Sequence, residues 1–182
     1  MDESPIWVSG NNFEACPTGM QPAVCSAVHN LGTQPGWQGQ GTRHMIALVF
    51  ELAERQKEGD FAGKRFIRSV AWTATLGERA NLRKNLESWR GKSFTPDEIK
   101  RFDVRTVNGK NCTLNLVEKQ SSSGRTCVVI DAILPPIKGQ EKLAPEQPGF
   151  MPDWMAEKYF SDADTNPSSI PSADDFDDDI PF

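Results

Sequence analysis

Flat rings set among cations are the residues of this chain whose types and spacing could do chemistry. Trp37 and Arg43 fall in one glycine-rich stretch, Lys64, Arg65, Phe66, Arg68 and Trp72 crowd into a second, and Lys119 and Arg125 flank a Ser-Ser-Ser-Gly turn. Stacking a nucleic-acid base on an aromatic ring is worth about 1–3 kcal/mol and tolerates any base, while Lys and Arg neutralise phosphates and release counterions. Rings and cations on extended chain therefore suit a single-stranded polyanion. Trp37 stands among Gly36, Gly39 and Gly41, a stretch too flexible and polar for a core, and its ring is predicted to be an exposed contact. Arg79, Arg83, Lys84, Arg90 and Lys92 read as the solvated face of a helix.

Catalytic and metal chemistry has little to stand on. Arg90-Gly91-Lys92-Ser93 looks like the end of a phosphate-binding loop, but the first glycine that loop needs is Leu86. His29 and His44 lie on separate strands without a nucleophile or ligand motif beside them. Cys16, Cys25, Cys112 and Cys127 lack the close pairs of a zinc site, and three of them fall in apolar runs where a reduced cysteine acts as a small hydrophobe. The expectation is a binding protein without metal or cofactor.

Five extended runs must position the rings and cations. Residues 22–31 are rich in small and β-branched side chains and stop at Gly32. Residues 44–52 alternate His44, Ile46, Leu48, Phe50 and Leu52 against Met45, Ala47, Val49 and Glu51; residues 64–73 alternate Phe66, Arg68, Val70 and Trp72 against Ile67, Ser69 and Ala71. Residues 110–119 and 125–134 form two further strands around the serine turn. Between the third and fourth strands, residues 78–90 place Leu82, Leu86 and Trp89 on one helical face with Gly91 as a stop, and Thr95-Pro96-Asp97-Glu98 caps a second short helical turn. Three strands, a helix and two strands is the chain order of an OB-fold. The predicted fold is thus mainly β, a five-stranded OB-fold barrel with one helix between strands 3 and 4. Such a barrel binds single strands across strands 2 and 3 and the loops joining strands 1 to 2 and 4 to 5, which is where Trp37, Arg43, Lys64, Arg65, Phe66, Arg68, Trp72, Lys119 and Arg125 fall. Small Ile67, Ser69 and Ala71 fit a tight interior, so the face of Phe66, Arg68 and Trp72 is expected outside; the alternative buries the rings and leaves Arg68 to snorkel at an edge.

Charge divides the chain. Residues 1–145 hold 19 Lys+Arg against 15 Asp+Glu, whereas residues 146–182 hold 1 against 10. A mildly basic body carrying a strongly acidic tail fits a body that binds a polyanion. Residues 1–145 are read as the OB domain, 146–173 as a linker and 174–182 as an acidic interaction tip. Within the linker, Met151, Trp154 and Met155 form a short amphipathic turn expected to pack on the body, and residues 162–173 read as a disordered tether. Five carboxylates in the tip repel one another and keep it extended, while Ile180, Pro181 and Phe182 offer an apolar end restrained by the proline. Residues 1–10 include Asp2, Glu3 and Pro5, which does not suit a signal peptide, and no stretch is apolar enough for a membrane span.

The tip, Asp-Asp-Phe-Asp-Asp-Asp-Ile-Pro-Phe, closely resembles the acidic tip of bacterial single-stranded DNA-binding proteins. The body resembles a phage or prophage type of the same family in the ten residues 82–91 (Leu-Arg-Lys-Asn-Leu-Glu-Ser-Trp-Arg-Gly), in Phe94 through Phe102-Asp103 and in Leu31-Gly32-Thr33-Gln34, over residues 17–135. The resemblance implies a cytoplasmic protein of a bacterial cell or phage-infected host that coats single-stranded DNA in replication, recombination and repair. It also implies that partner enzymes are recruited through Asp177, Asp178, Asp179, Ile180, Pro181 and Phe182. The body departs from the housekeeping members, so their tetramer is not carried over and homo-oligomerisation stays open. The alternative from another class is an OB-fold adaptor for protein partners, or a replication-loading factor with weak DNA affinity.

Overall fold

A seventeen-residue strand, β1 (Gly19–Pro35), runs through the centre of a five-stranded antiparallel sheet in the computed structural model, which describes residues 14–160. The tip residues Asp177 to Phe182 and the tether before them lie outside the described residues. β1 pairs through residues 19–24 with β4 (Asn111–Gln120) and through residues 23–35 with β2 (Thr42–Arg55). β3 (Arg65–Thr73) joins β2 and β5 (Thr126–Leu134) joins β4, giving the order β3-β2-β1-β4-β5. One strand serves two neighbours because it bends. Its register against β2 shifts between Cys25 and Ala27 and again between Asn30 and Gly32, and such bulges increase local twist. At the second shift Gly32 takes φ +70° and donates its N–H to Asn30 Oδ1 at 2.9 Å, a left-handed conformation that costs glycine nothing. The edge strands β3 and β5 share no ladder, yet their Cα atoms approach within 8 Å. The sheet is therefore open but strongly curled.

The inner face of the curl carries the main core: Leu48 and Phe50 from β2, Leu114 from β4 and Ile133 from β5 are fully buried there. Phe66 and Trp72 belong to the same core, which corrects the expectation that their face of β3 lies outside. Curling brings the two edge strands together over the core, so the bulky side chains of β3 are drawn inside, and Ile67, Ser69 and Ala71 point outward, only half-buried. Helix α1 (Asn81–Arg90) closes this core, packing on β5 and β3 and burying Leu82, Leu86 and Trp89. The Trp89 ring lies 5.8 Å from that of Phe50, and its Nε1 donates to the Asn111 carbonyl at 2.9 Å. Helix α2 (Pro96–Lys100) follows, started by a reciprocal capping box between Thr95 and Glu98.

The outer face of β2 is also dry. Met45, Ala47, Val49 and Glu51 are all buried, because the stretch 143–160 crosses over them. Glu51 accepts hydrogen bonds from the backbone N–H groups of Glu146 (2.9 Å) and Gln147 (3.4 Å). Gly149 N–H donates to the Ser26 carbonyl at 2.9 Å and His29 Nε2 to the Phe150 carbonyl at 2.8 Å. Arg65 donates to the Ala144 carbonyl at 2.8 Å and pairs with Glu146, which also pairs with Arg55. The stretch ends in helix α3 (Asp153–Phe160), whose Met155 is fully buried against Leu31, Met45 and Ala47. Much of the segment that reads as linker in the sequence is thus bound to the sheet as far as Phe160. Among the described residues no helix is long and apolar enough to cross a membrane.

Candidate functional site

Two surfaces collect the rings and cations. The first is the turn between β1 and β2, where Trp37 opens a 3-10 turn and stands 49% exposed. The turn is tight: Gly36 N–H donates to the Gly41 carbonyl at 3.0 Å and Gln40 N–H to the Trp37 carbonyl at 2.9 Å. A Cβ on Gly36 would collide with the Gln40 carbonyl oxygen, so the glycine is needed for this closure. Arg43 lies at the root of the turn, half-buried and paired with Gln34 across the ladder.

The second surface is a groove of about 700 Å³ along the gap between β3 and β5, within the size range of ligand sites. Its floor includes the outward residues Ile67, Ser69 and Ala71 of β3 and Cys127 to Ile130 of β5. The β2–β3 loop supplies one wall with Phe61 and Lys64, the ammonium lying 5.6 Å from the ring centroid. Segment 147–159 supplies the other, with Phe150, Trp154, Lys158 and Tyr159. Arg68 enters from the inner face of β3 and is half-buried, with Nη1 donating to the Ile67 carbonyl at 2.9 Å.

Two thiols meet this guanidinium. Burial pushes the Cys16 thiol above its ordinary range, opposed by the charge of Arg68 and a hydrogen bond with it. Burial also pushes Cys127 up, opposed by Arg68 and by Lys119, its partner across the β4–β5 ladder. Neither is poised as a thiolate nucleophile. Deeper in the core, burial pushes Cys25 up to about 12 and raises Cys112 as well. All four cysteines are unpaired, and among the described residues no group of three or more His, Cys, Asp or Glu could hold a metal ion.

The residues singled out from sequence thus separate. Lys64, Arg65 and Arg68 line the groove and Lys119 approaches Arg68 through Cys127, while Arg125 is exposed at the β4–β5 turn. Trp37 and Arg43 belong to the β1–β2 turn, and Phe66 and Trp72 are core. Arg65 also holds the 143–160 stretch, and Arg55, aided by Arg65, keeps the Glu146 carboxyl below its usual range. Sequence reasoning missed Phe61, Lys158 and Tyr159 as groove residues; the exposed Trp154 was read only as part of a packing turn. The one signal for the wall was the apolar content of residues 150–160 inside an acidic tail. No family model and no curated protein matches this chain.

Proposed function

We propose that this chain binds single-stranded DNA without regard to sequence, as a binder rather than a catalyst, and that its acidic tip recruits processing enzymes. Trp37 is the observation that carries the reading: a half-exposed tryptophan on a closed glycine turn, in the loop that joins β1 to β2. The strand order β3-β2-β1-β4-β5, a bent β1 shared by β2 and β4, and a helix between β3 and β4 are what a five-stranded OB barrel opened between β3 and β5 would have. In such a barrel the loop joining strands 1 and 2 is one of the two loops that grip a strand, and a flat exposed ring there suits base stacking. The half-buried Arg68 and the basic excess of residues 1–145 add attraction for phosphate.

Titrating the full chain with oligothymidylate while following tryptophan fluorescence tests this. Wild type binds; Trp37→Ala binds about 1–3 kcal/mol more weakly with an unchanged salt slope, and Arg68→Ala lowers that slope. A wild-type chain that does not bind even at low salt overturns the proposal.

Removing residues 174–182 takes away five carboxylates and the terminal ring but no groove residue. DNA affinity is expected to stay equal or rise, most at low salt where screening is weakest. Capture of replication enzymes is expected to be lost, and Phe182→Ala, which keeps every charge, is expected to lose most of it because buried aromatic anchors dominate small interfaces. Pull-down of such enzymes with the three forms measures this, and undiminished capture by the truncated chain would assign recruitment elsewhere.

A further inference from the structure

Single strands on an OB barrel are expected to cross the outer faces of strands 2 and 3, but here the outer face of β2 is already taken. Met155 covers Met45 and Ala47, and Glu51 is spent on the backbone of Glu146 and Gln147. A strand lying there would have to expel the whole 143–160 stretch and leave the Glu51 carboxylate buried without its donors. We propose that this stretch is instead part of the binding site: α3 forms one wall of the β3–β5 groove, Trp154 stacks a base, Lys158 meets a phosphate, and the single strand runs along the groove rather than across β2. The proposal rests on the single-strand reading and adds the path.

Charge complementarity selects the occupant. Lys64, Arg65, Arg68 and Lys158 line the groove against one carboxylate, that of Glu14, which accepts the backbone N–H groups of Lys57 and Glu58. Each wall repeats the same unit, a ring with a lysine over or beside it. Lys64 lies over Phe61, which is 41% exposed, and Lys158 lies 5.5 Å from the Tyr159 ring centroid one turn beyond Trp154, which is 46% exposed. Exposed rings beside cations are what a strand with alternating bases and phosphates needs. The path is also continuous with the first surface. Gln34 Nε2 at the root of the Trp37 turn donates to the Tyr159 carbonyl at 3.2 Å, so α3 links that turn to the groove.

The test uses the full chain with oligothymidylate as probe. Trp154→Ala is expected to weaken binding about five- to a hundredfold with little change in salt slope, and Lys158→Ala to reduce the slope by about one. Trp154 is exposed, so the variant's thermal midpoint is expected to match wild type. A second readout needs no substitution: Cys127 is the least buried of the four thiols and lines the groove, so bound oligonucleotide is expected to slow its alkylation by iodoacetamide. If Trp37→Ala weakens binding while Trp154→Ala does not and Cys127 stays unprotected, the path is wrong and the single-strand reading survives. If wild type fails to bind the oligonucleotide, both fall. Protection of Cys127 by a synthetic peptide of residues 174–182 but not by oligonucleotide would overturn the proposal in favour of a peptide groove.

Discussion

Trp72→Ala is expected to cost about 3–5 kcal/mol of folding stability while leaving the oligonucleotide affinity of the folded protein unchanged. The indole is 4% exposed and packs in the core that all five strands share, on the strand next to β2 where Trp72 pairs with Ile46. Truncation removes its burial and opens a cavity that the sheet can fill only in part, because neighbouring β-strands are held in place by their ladders. Urea unfolding checks the stability, and titration in buffer checks the affinity. Trp37→Ala is the mirror case, with little loss of stability and a clear loss of binding. A Trp72→Ala protein as stable as wild type but impaired in binding would show that this face of β3 meets the ligand.

Glu51→Ala is expected to free the 143–160 stretch from β2. The carboxylate is 1% exposed and accepts from two successive backbone N–H groups. Without it each donor loses its partner, at about 1–3 kcal/mol for each one left buried. Part of that cost disappears if the stretch lifts and water reaches the donors, so the result is a mixture of lower stability and local opening. Glu51→Gln is expected to fall between, since its amide oxygen can still accept but carries no charge. Limited proteolysis separates local opening from global unfolding: cleavage within residues 143–150 should rise in Glu51→Ala under conditions where the sheet stays intact. Equal resistance to cleavage in both proteins, with equal urea midpoints, would show that the carboxylate does not hold the stretch.

Residues 44–52 and 64–73 mark where the sequence was sufficient and where it was not. Alternation in these runs established two strands, because period 2 is a property of the local backbone and needs no partner to be read. The i, i+4, i+7 spacing of Leu82, Leu86 and Trp89 established α1, and the Thr95–Glu98 box its successor, for the same reason. The exposed Trp37 followed from its glycines, since a turn that tight offers no core to enter. The acidic division of the chain is likewise a matter of composition alone.

Which face of β3 is inside was different. Both faces carry apolar side chains, and alternation is unchanged when inside and outside are exchanged. Only the curl that brings β3 toward β5 decides it, enclosing Phe66 and Trp72 and leaving the smaller face to the groove. Glu51 shows the same limit from the other side. A carboxylate on the face of Met45, Ala47 and Val49 signals that the outer face of β2 is unusual, but its partners are separated from it by 95 and 96 residues. Such a pairing depends on where the chain returns after β5, and no local pattern encodes that. Strand and helix identity are local and were legible; the inner face, the covering segment and the groove it walls arise from long-range closure, and tertiary structure alone decided them.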